Sequence, residues 1–201
     1  MNSQYLFEYA SVFERILSIA YEYGYATSSL ERLISYSSYF QGIEKDKRGF
    51  SPIINDVTLA KEFFPNLKKD LLSIPSYNQC LWAAESYLRI QGETGLTFEC
   101  IFLYIPIKKM YEYFPLYHEM DFSQIIKEFK RLFSIKSTLG LLIEKYHYHL
   151  TNIAKQIDVS YNVLSSLKHR RRDIKKTSVE IAAKLSQVFN VRIETISEIA
   201  I

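Results

Sequence analysis

A chain of 201 residues is long enough for one large domain or two modest ones. With 48 % hydrophobic and 23 % charged residues, the composition is globular and excludes a disordered chain. Net charge is only +3, and the longest run free of Asp, Glu, Lys and Arg, Leu71 to Ala84, is broken by Pro75. That excludes a membrane-spanning helix, which needs about 20 apolar residues.

The N-terminal "SQYLFEYASVFERILSIAYEYGY" places Leu6, Tyr9, Phe13, Ile16, Leu17 and Ala20 three and four apart, which predicts an amphipathic helix closed by Gly24. It has no basic leader and carries acids early, so it is not expected to be a signal peptide. "TSSLERLISYSSYFQG" reads as one further helix, with a Ser or Thr cap, Glu31 near the capping-box position, and Gly42 after its end. "IEKDKRGFSP" is expected to be a charged loop, and Asp56 to Phe64 a short helix closed by Pro65. "PSYNQCLWAAESYLRIQG" predicts a helix with Pro75 near its start and Gly92 past its end. "GLTFECIFLYIPI" suits a buried strand or a buried helix, and its helical surroundings favour the helix. Pro106 and Pro115 bracket a short segment. "DFSQIIKEFKRLFSI" then places Ile125, Ile126, Phe129 and Phe133 on one helical face.

Charge and aromaticity divide the chain near residue 134. Residues 1–130 sum to −3 and hold 13 of the 16 tyrosines, whereas residues 131–201 sum to +6. We therefore expect an all-α protein: an aromatic-rich helical domain over 1–134, then a second domain over 135–201. A basic module on a mildly acidic body points to a polyanion partner at one end.

No catalytic constellation stands out. Cys80 and Cys100 lack metal-ligand spacing and read as reduced cytosolic thiols. His147 and His149, two apart on a helix, cannot clamp one metal. No phosphate loop, nucleophile elbow or HExxH motif is present. The chain is expected to be no enzyme, to hold no metal or cofactor, and to reside in the cytoplasm.

The second module carries the signal. "STLGLLIEKYHYH" predicts a helix with Leu139, Leu142, Ile143 and Tyr146 on one face. "LTNIAKQI" turns Ile153, Ala154 and Ile157 inward. Asp158 and Val159 make a turn, and Ser160 caps "YNVLSSLK", which buries Val163, Leu164 and Leu167. Thr177 and Glu180 read as a capping box for "VEIAAKLSQVF", with Val179, Ala182, Ala183, Leu185 and Phe189 apolar. "NVRIETISEI" gives a fifth helix. Two short helices joined by a tight turn, with small Ala154 at their closest approach, follow the helix-turn-helix plan. The second helix would present Tyr161, Asn162, Ser165 and Ser166 to base edges. Lys155, Ser160, Lys168, Arg170, Arg171 and Arg172 would meet phosphates.

Residues 137–197 resemble the Xre/Cro type of phage-repressor helix-turn-helix domain. The resemblance rests on Ile153, Ala154, Ile157, Val159 and Ser160, on "LSSL", on "TSVEIAAKLSQVFNV" and on Ile196. Asp158 stands where the family usually has a turn glycine, and Leu150 where it often has glutamine. Lys168, His169 and Arg170 replace a usual glutamate-asparagine-glycine, and the following loop is longer. The unit is C-terminal here, whereas the family usually places it at the N-terminus.

The resemblance implies a sequence-specific transcriptional regulator of phage or mobile-element origin, a repressor binding double-stranded DNA as a homodimer. Residues 1–134 would supply a dimer interface, a small-effector site or a protein-partner surface. The alternative is an inhibitor of a host defence nuclease, similar to anti-CRISPR proteins, whose helix-turn-helix unit autoregulates or dimerises.

Overall fold

The computed structural model describes residues 3–24, 26–45 and 75–199. Among them are twelve α-helices and no strand, so the chain is all-α there. The expected helix over Asp56–Phe64 and most of the charged loop lie outside the described residues. No described helix is long and apolar enough to cross a membrane.

Helix α1 (Ser3–Glu22) ends as expected before Gly24, which takes φ 70°. The next predicted helix is instead two, α2 (Thr27–Tyr36) and α3 (Ser38–Glu44). Ser37 takes extended backbone between them, and its Oγ accepts from the Tyr39 N–H at 3.2 Å to start α3. The break turns Tyr39 and Phe40 into the core, and Gly42 lies inside α3 rather than after a helix.

Helix α4 (Tyr77–Thr94) starts on a reciprocal cap between Ser76 and Gln79, one residue past Pro75. It runs through Gly92 and stops at Gly95, φ 67°. There Thr94 Oγ1 donates to the Ile90 carbonyl and accepts from the Leu96 N–H, which seals the end.

The ambiguous apolar run is a buried helix, α5 (Phe98–Tyr104), capped by Thr97 Oγ1. Helix α6 (Ile107–Tyr117) contains Pro115 in its last turn, so that proline does not bracket it. Proline's fixed φ suits helical backbone, but Pro115 has no N–H to give the Tyr111 carbonyl, so the last turn lacks that one hydrogen bond. Helix α7 (Ser123–Ile135) buries Ile125 and Phe129, with Ile126 and Phe133 half-buried beside them.

The first core is aromatic. The Phe13 ring lies 4.8 Å from Phe40, 5.9 Å from Tyr87 and 6.0 Å from Phe98, centre to centre. Such pairs contribute about 0.5–1.5 kcal/mol each beyond the area they bury. The Tyr87 hydroxyl, fully enclosed, donates to the Ile105 carbonyl at 2.8 Å, so the ring's polar tip is satisfied.

A second core gathers the remaining helices: α8 (Thr138–Tyr146), α9 (Leu150–Ile157), α10 (Tyr161–Lys168), α11 (Val179–Phe189) and α12 (Ile193–Ser197). Leu139, Leu142, Ile153, Leu164, Leu167, Leu185 and Ile196 are buried in it. A 3₁₀ turn, Ile174–Lys176, joins α10 to α11. The cap of α11 is Ser178, whose Oγ accepts from the Ile181 N–H, one residue later than the expected Thr177. Glu180 is therefore no capping-box partner and pairs with Lys184 at 2.7 Å. Val179, expected in the core, is 74 % exposed at the first position of α11, ahead of the first buried residue of that helix, Ala182. The first core ends at Phe129 and the second begins at Leu139, and Leu103 of α5 packs against both.

Four glutamates, three buried and Glu99 half-buried, cap helix starts from a distance. Glu31 accepts from the Ile107 N–H at α6, and Glu44 from the Phe98 N–H at α5. Glu99 accepts from the Arg192 N–H before α12, and Glu198 from the Thr138 N–H at α8. First-turn N–H groups have no partner within their own helix, and the helix dipole favours an anion there. Glu31 is thus a cap for α6, not for its own helix as its spacing suggests.

Three of these carboxylates sit in the seam between the two cores. Arg192 forks onto Glu44, with Nη1–Oε2 2.7 Å and Nη2–Oε1 2.8 Å. Thr195 Oγ1 donates to Glu99 at 2.7 Å, and Tyr36 Oη donates to the Asn190 carbonyl at 3.2 Å. The C-terminal helices are fixed to the aromatic body through buried charge rather than through a solvated linker. Within the second core, Ser137 Oγ accepts from the Gly140 N–H at 2.9 Å and donates to the Lys168 carbonyl at 2.6 Å.

Candidate nucleic-acid interface

The surface built on α9 and α10 begins with a tight turn. Asp158 takes the left-handed conformation, φ 54° and ψ 53°. The Val159 N–H reaches back to the Ala154 carbonyl at 3.0 Å, and the Asp158 N–H to the Lys155 carbonyl at 3.4 Å. This pair of bonds is a Schellman closure, usually built on glycine. Ser160 then takes extended backbone, and its Oγ accepts from the Val163 N–H at 3.3 Å, starting α10 where the sequence predicts.

Leu164 and Leu167 bury one side of α10, with Val163 half-buried beside them. On the other side Tyr161 is 51 % exposed and Asn162 is also exposed. Ser165 and Ser166, one turn further on, are half-buried, so the face protrudes most at the N-terminal end of α10. Lys155, Ser160, Arg171 and Arg172 are exposed, and Lys168 is half-buried. Among the described residues, Lys155, Lys168, Arg171 and Arg172 form no ion pair. The basic run continues into Lys175 and Lys176, exposed on the 3₁₀ turn. Neither was singled out from the sequence, although "RRRDIKK" places them beside the arginines.

Arg170 requires a correction. It was expected to face phosphate with its two neighbours, but its side chain turns inward. Its Nη1 lies 3.0 Å from Glu198 Oε2, and its Nη2 donates to Glu198 Oε1 and to the Tyr104 hydroxyl, both at 3.0 Å. Its Nε donates to the Lys136 carbonyl at 2.6 Å, and the guanidinium sits 4.8 Å from the centre of the Phe133 ring. Burial, and after it the charge of Glu198, pushes the Tyr104 phenol far up, so it stays a proton donor to Glu198. Backbone geometry separates Arg170 from its neighbours. It takes φ 52°, and the N–H groups of Arg171 and Arg172 both close onto the Ser166 carbonyl.

His147 takes a left-handed conformation at the end of α8, and His149 precedes α9 without a side-chain cap bond. No group of His, Cys, Asp and Glu among the described residues could hold a metal ion.

No family model, curated protein or solved structure matches the chain.

Proposed function

We propose that the chain is a sequence-specific DNA-binding regulator of transcription. In this reading residues 135–201 form an Xre/Cro-type helix-turn-helix unit, and the protein acts as a dimeric repressor of phage or mobile-element origin. One observation carries the reading: an uncharged, hydrogen-bonding helix face, most exposed at its N-terminal end, stands beside cations that form no ion pair among the described residues.

The N-terminal end of α10 enters the major groove, so Tyr161 and Asn162 reach base edges first. Asn162 can pair bidentately with adenine, a contact worth about 1–3 kcal/mol of discrimination. Ser165 and Ser166 line the shallower part of the contact. Lys155, Lys168, Arg171 and Arg172 hold phosphates, with Ser160 beside them, and fix register without reading sequence. Arg170 is left out because its guanidinium is engaged within the protein. Neutralising four phosphates gives a slope of log affinity against log salt of about −3.6 per protomer. A dimer would read two half-sites one helical turn apart.

Selection of bound sequences from random DNA tests the reading, and enrichment of a palindrome is expected. Asn162→Ala with Ser166→Ala should flatten the preference. Arg171→Ala with Arg172→Ala should weaken binding to all sequences and make the salt slope shallower by about 2 per protomer. Absence of enrichment, or unchanged affinity in the double arginine variant, would sink it.

A further inference from the structure

A cavity of about 370 Å³ opens on the seam, away from the α10 face, between α2, α5, the end of α8 and the turn after α11. That volume suits a small-molecule ligand. Its walls combine the rings of Tyr36, Phe102 and Tyr146 with Ser28, Arg32 and Lys145.

Three features give it an anion-binding character. Arg32 and Lys145 are exposed and close no hydrogen bond or ion pair through their side chains to any described residue. Helix α2, ten residues long, begins after Ala26, which has no side-chain acceptor to offer. The N–H groups of Thr27 and Ser28 in its first turn therefore find no acceptor among the described residues, and Ser28 lines the cavity. Unsatisfied donors at a helix start, with the dipole behind them, favour negative charge.

The two carboxylates in the lining do not cancel this. Glu99 accepts from the Arg192 N–H and Thr195 and lies 3.9 Å from the Arg192 guanidinium Nε, which offsets part of its charge within the protein. Glu31 accepts from the Ile107 N–H, and burial raises its pKa to about 7, which leaves it substantially protonated near neutrality.

We propose that this cavity binds a small organic oxyanion, a carboxylate or phosphate carried on a compact body that packs against the tyrosine rings. The oxyanion meets Arg32, Lys145 and the start of α2, and the body lies against Tyr36 and Tyr146. Such a ligand touches both cores at once, because Phe102 in its wall belongs to the first and Val191, also in its wall, packs against the second. This geometry suits an effector. The binding claim stands independently of the DNA-binding reading.

The test is thermal unfolding of the full chain with inorganic phosphate, citrate or adenosine 5′-monophosphate, followed by calorimetric titration of any that stabilise. At ten times the dissociation constant, the matching probe should raise Tm by about 4 °C. The arms separate the sources: citrate alone marks a carboxylate ligand, whereas phosphate or the nucleotide marks a phosphate. Arg32→Gln with Lys145→Gln should abolish the shift. Lys108→Gln with Lys127→Gln, which removes two exposed cations elsewhere, should keep it. Equal shifts in all three proteins would reduce the effect to general surface charge and overturn the proposal. So would the absence of a shift with every probe.

Discussion

Arg192 and Glu44 are 148 residues apart in sequence and form a two-pronged ion pair with both side chains nearly enclosed, 14 % and 0 % exposed. The same carboxylate also accepts from the Phe98 N–H that starts α5. Removing one partner of a buried pair leaves the other charge uncompensated, at a cost of about 3–5 kcal/mol. Arg192→Met should lower stability by that amount in urea unfolding. Adding Glu44→Gln should recover more than about 1 kcal/mol of it, since the orphaned charge is then gone. If the double variant is no more stable than the single one, the pair is not coupled as described.

The three consecutive arginines should separate by assay. Arg170→Ala strands Glu198, whose side chain is 3 % exposed, and should cost about 2–4 kcal/mol of stability. Arg171 and Arg172 are exposed and their side chains form no hydrogen bond or ion pair among the described residues, so Arg171→Ala and Arg172→Ala should stay within about 0.5 kcal/mol. Equal denaturation midpoints for all three single variants would contradict the inward placement of Arg170.

Four helices of the second core are capped by a left-handed residue, His147, Asp158, Asn190 or Glu198, and after α10 the left-handed residue is Arg170, one past the cap; none of the five is glycine. Asp158 is the simplest to exchange because it is exposed and its side chain makes no hydrogen bond or ion pair among the described residues. A side chain in this conformation is strained, and glycine is not. Asp158→Gly should therefore raise stability by about 1 kcal/mol, measured as a higher urea midpoint with unchanged slope.

Burial raises the Glu31 carboxyl from an ordinary 4.5 to about 7, against the opposing pull of the Ile107 N–H and Lys145. The folded protein holds this proton more tightly than the unfolded chain. The stability from this group is full below pH 4.5 and is lost as pH rises through about 7. The span is about 3 kcal/mol, since each tenfold gain in proton affinity is worth about 1.4 kcal/mol. Glu31→Gln keeps an acceptor for Ile107 and removes the titration. The variant should match the parent at pH 4.5 and exceed it by about 2–3 kcal/mol at pH 8. A constant difference across that range would show that the carboxyl is not the titrating group.

Sequence patterns located the elements whose determinants are local. Helices α9 and α10, and the Ser160 cap between them, follow from apolar spacing and a serine within three residues of its donor. The break at Ser37 was not legible, because extended backbone there is favoured by the distant surfaces that receive Tyr39 and Phe40. The remote glutamate caps were equally hidden, since their partners lie 54 to 93 residues away in sequence. Arg170 shows the same limit within the candidate site. Beside Arg171 and Arg172 it looks like one of three equals. Its role is set by Glu198 and Tyr104, which no spacing rule connects to it.

Ser137 places a narrow chemical demand on its position. One oxygen receives a hydrogen bond from the start of α8 and gives its proton to the carbonyl at the end of α10. Aspartate and asparagine cap helices as well as serine does. An ionised aspartate has no proton for Lys168, and the asparagine oxygen that would cap cannot also donate. A Cβ on Gly140 would approach the serine oxygen to 3.0 Å, so the space around this atom is already committed. The exposed α10 face is thus held at its far end by a hydroxyl that must act in both directions. Within the set of ordinary capping residues, only serine and threonine have that chemistry.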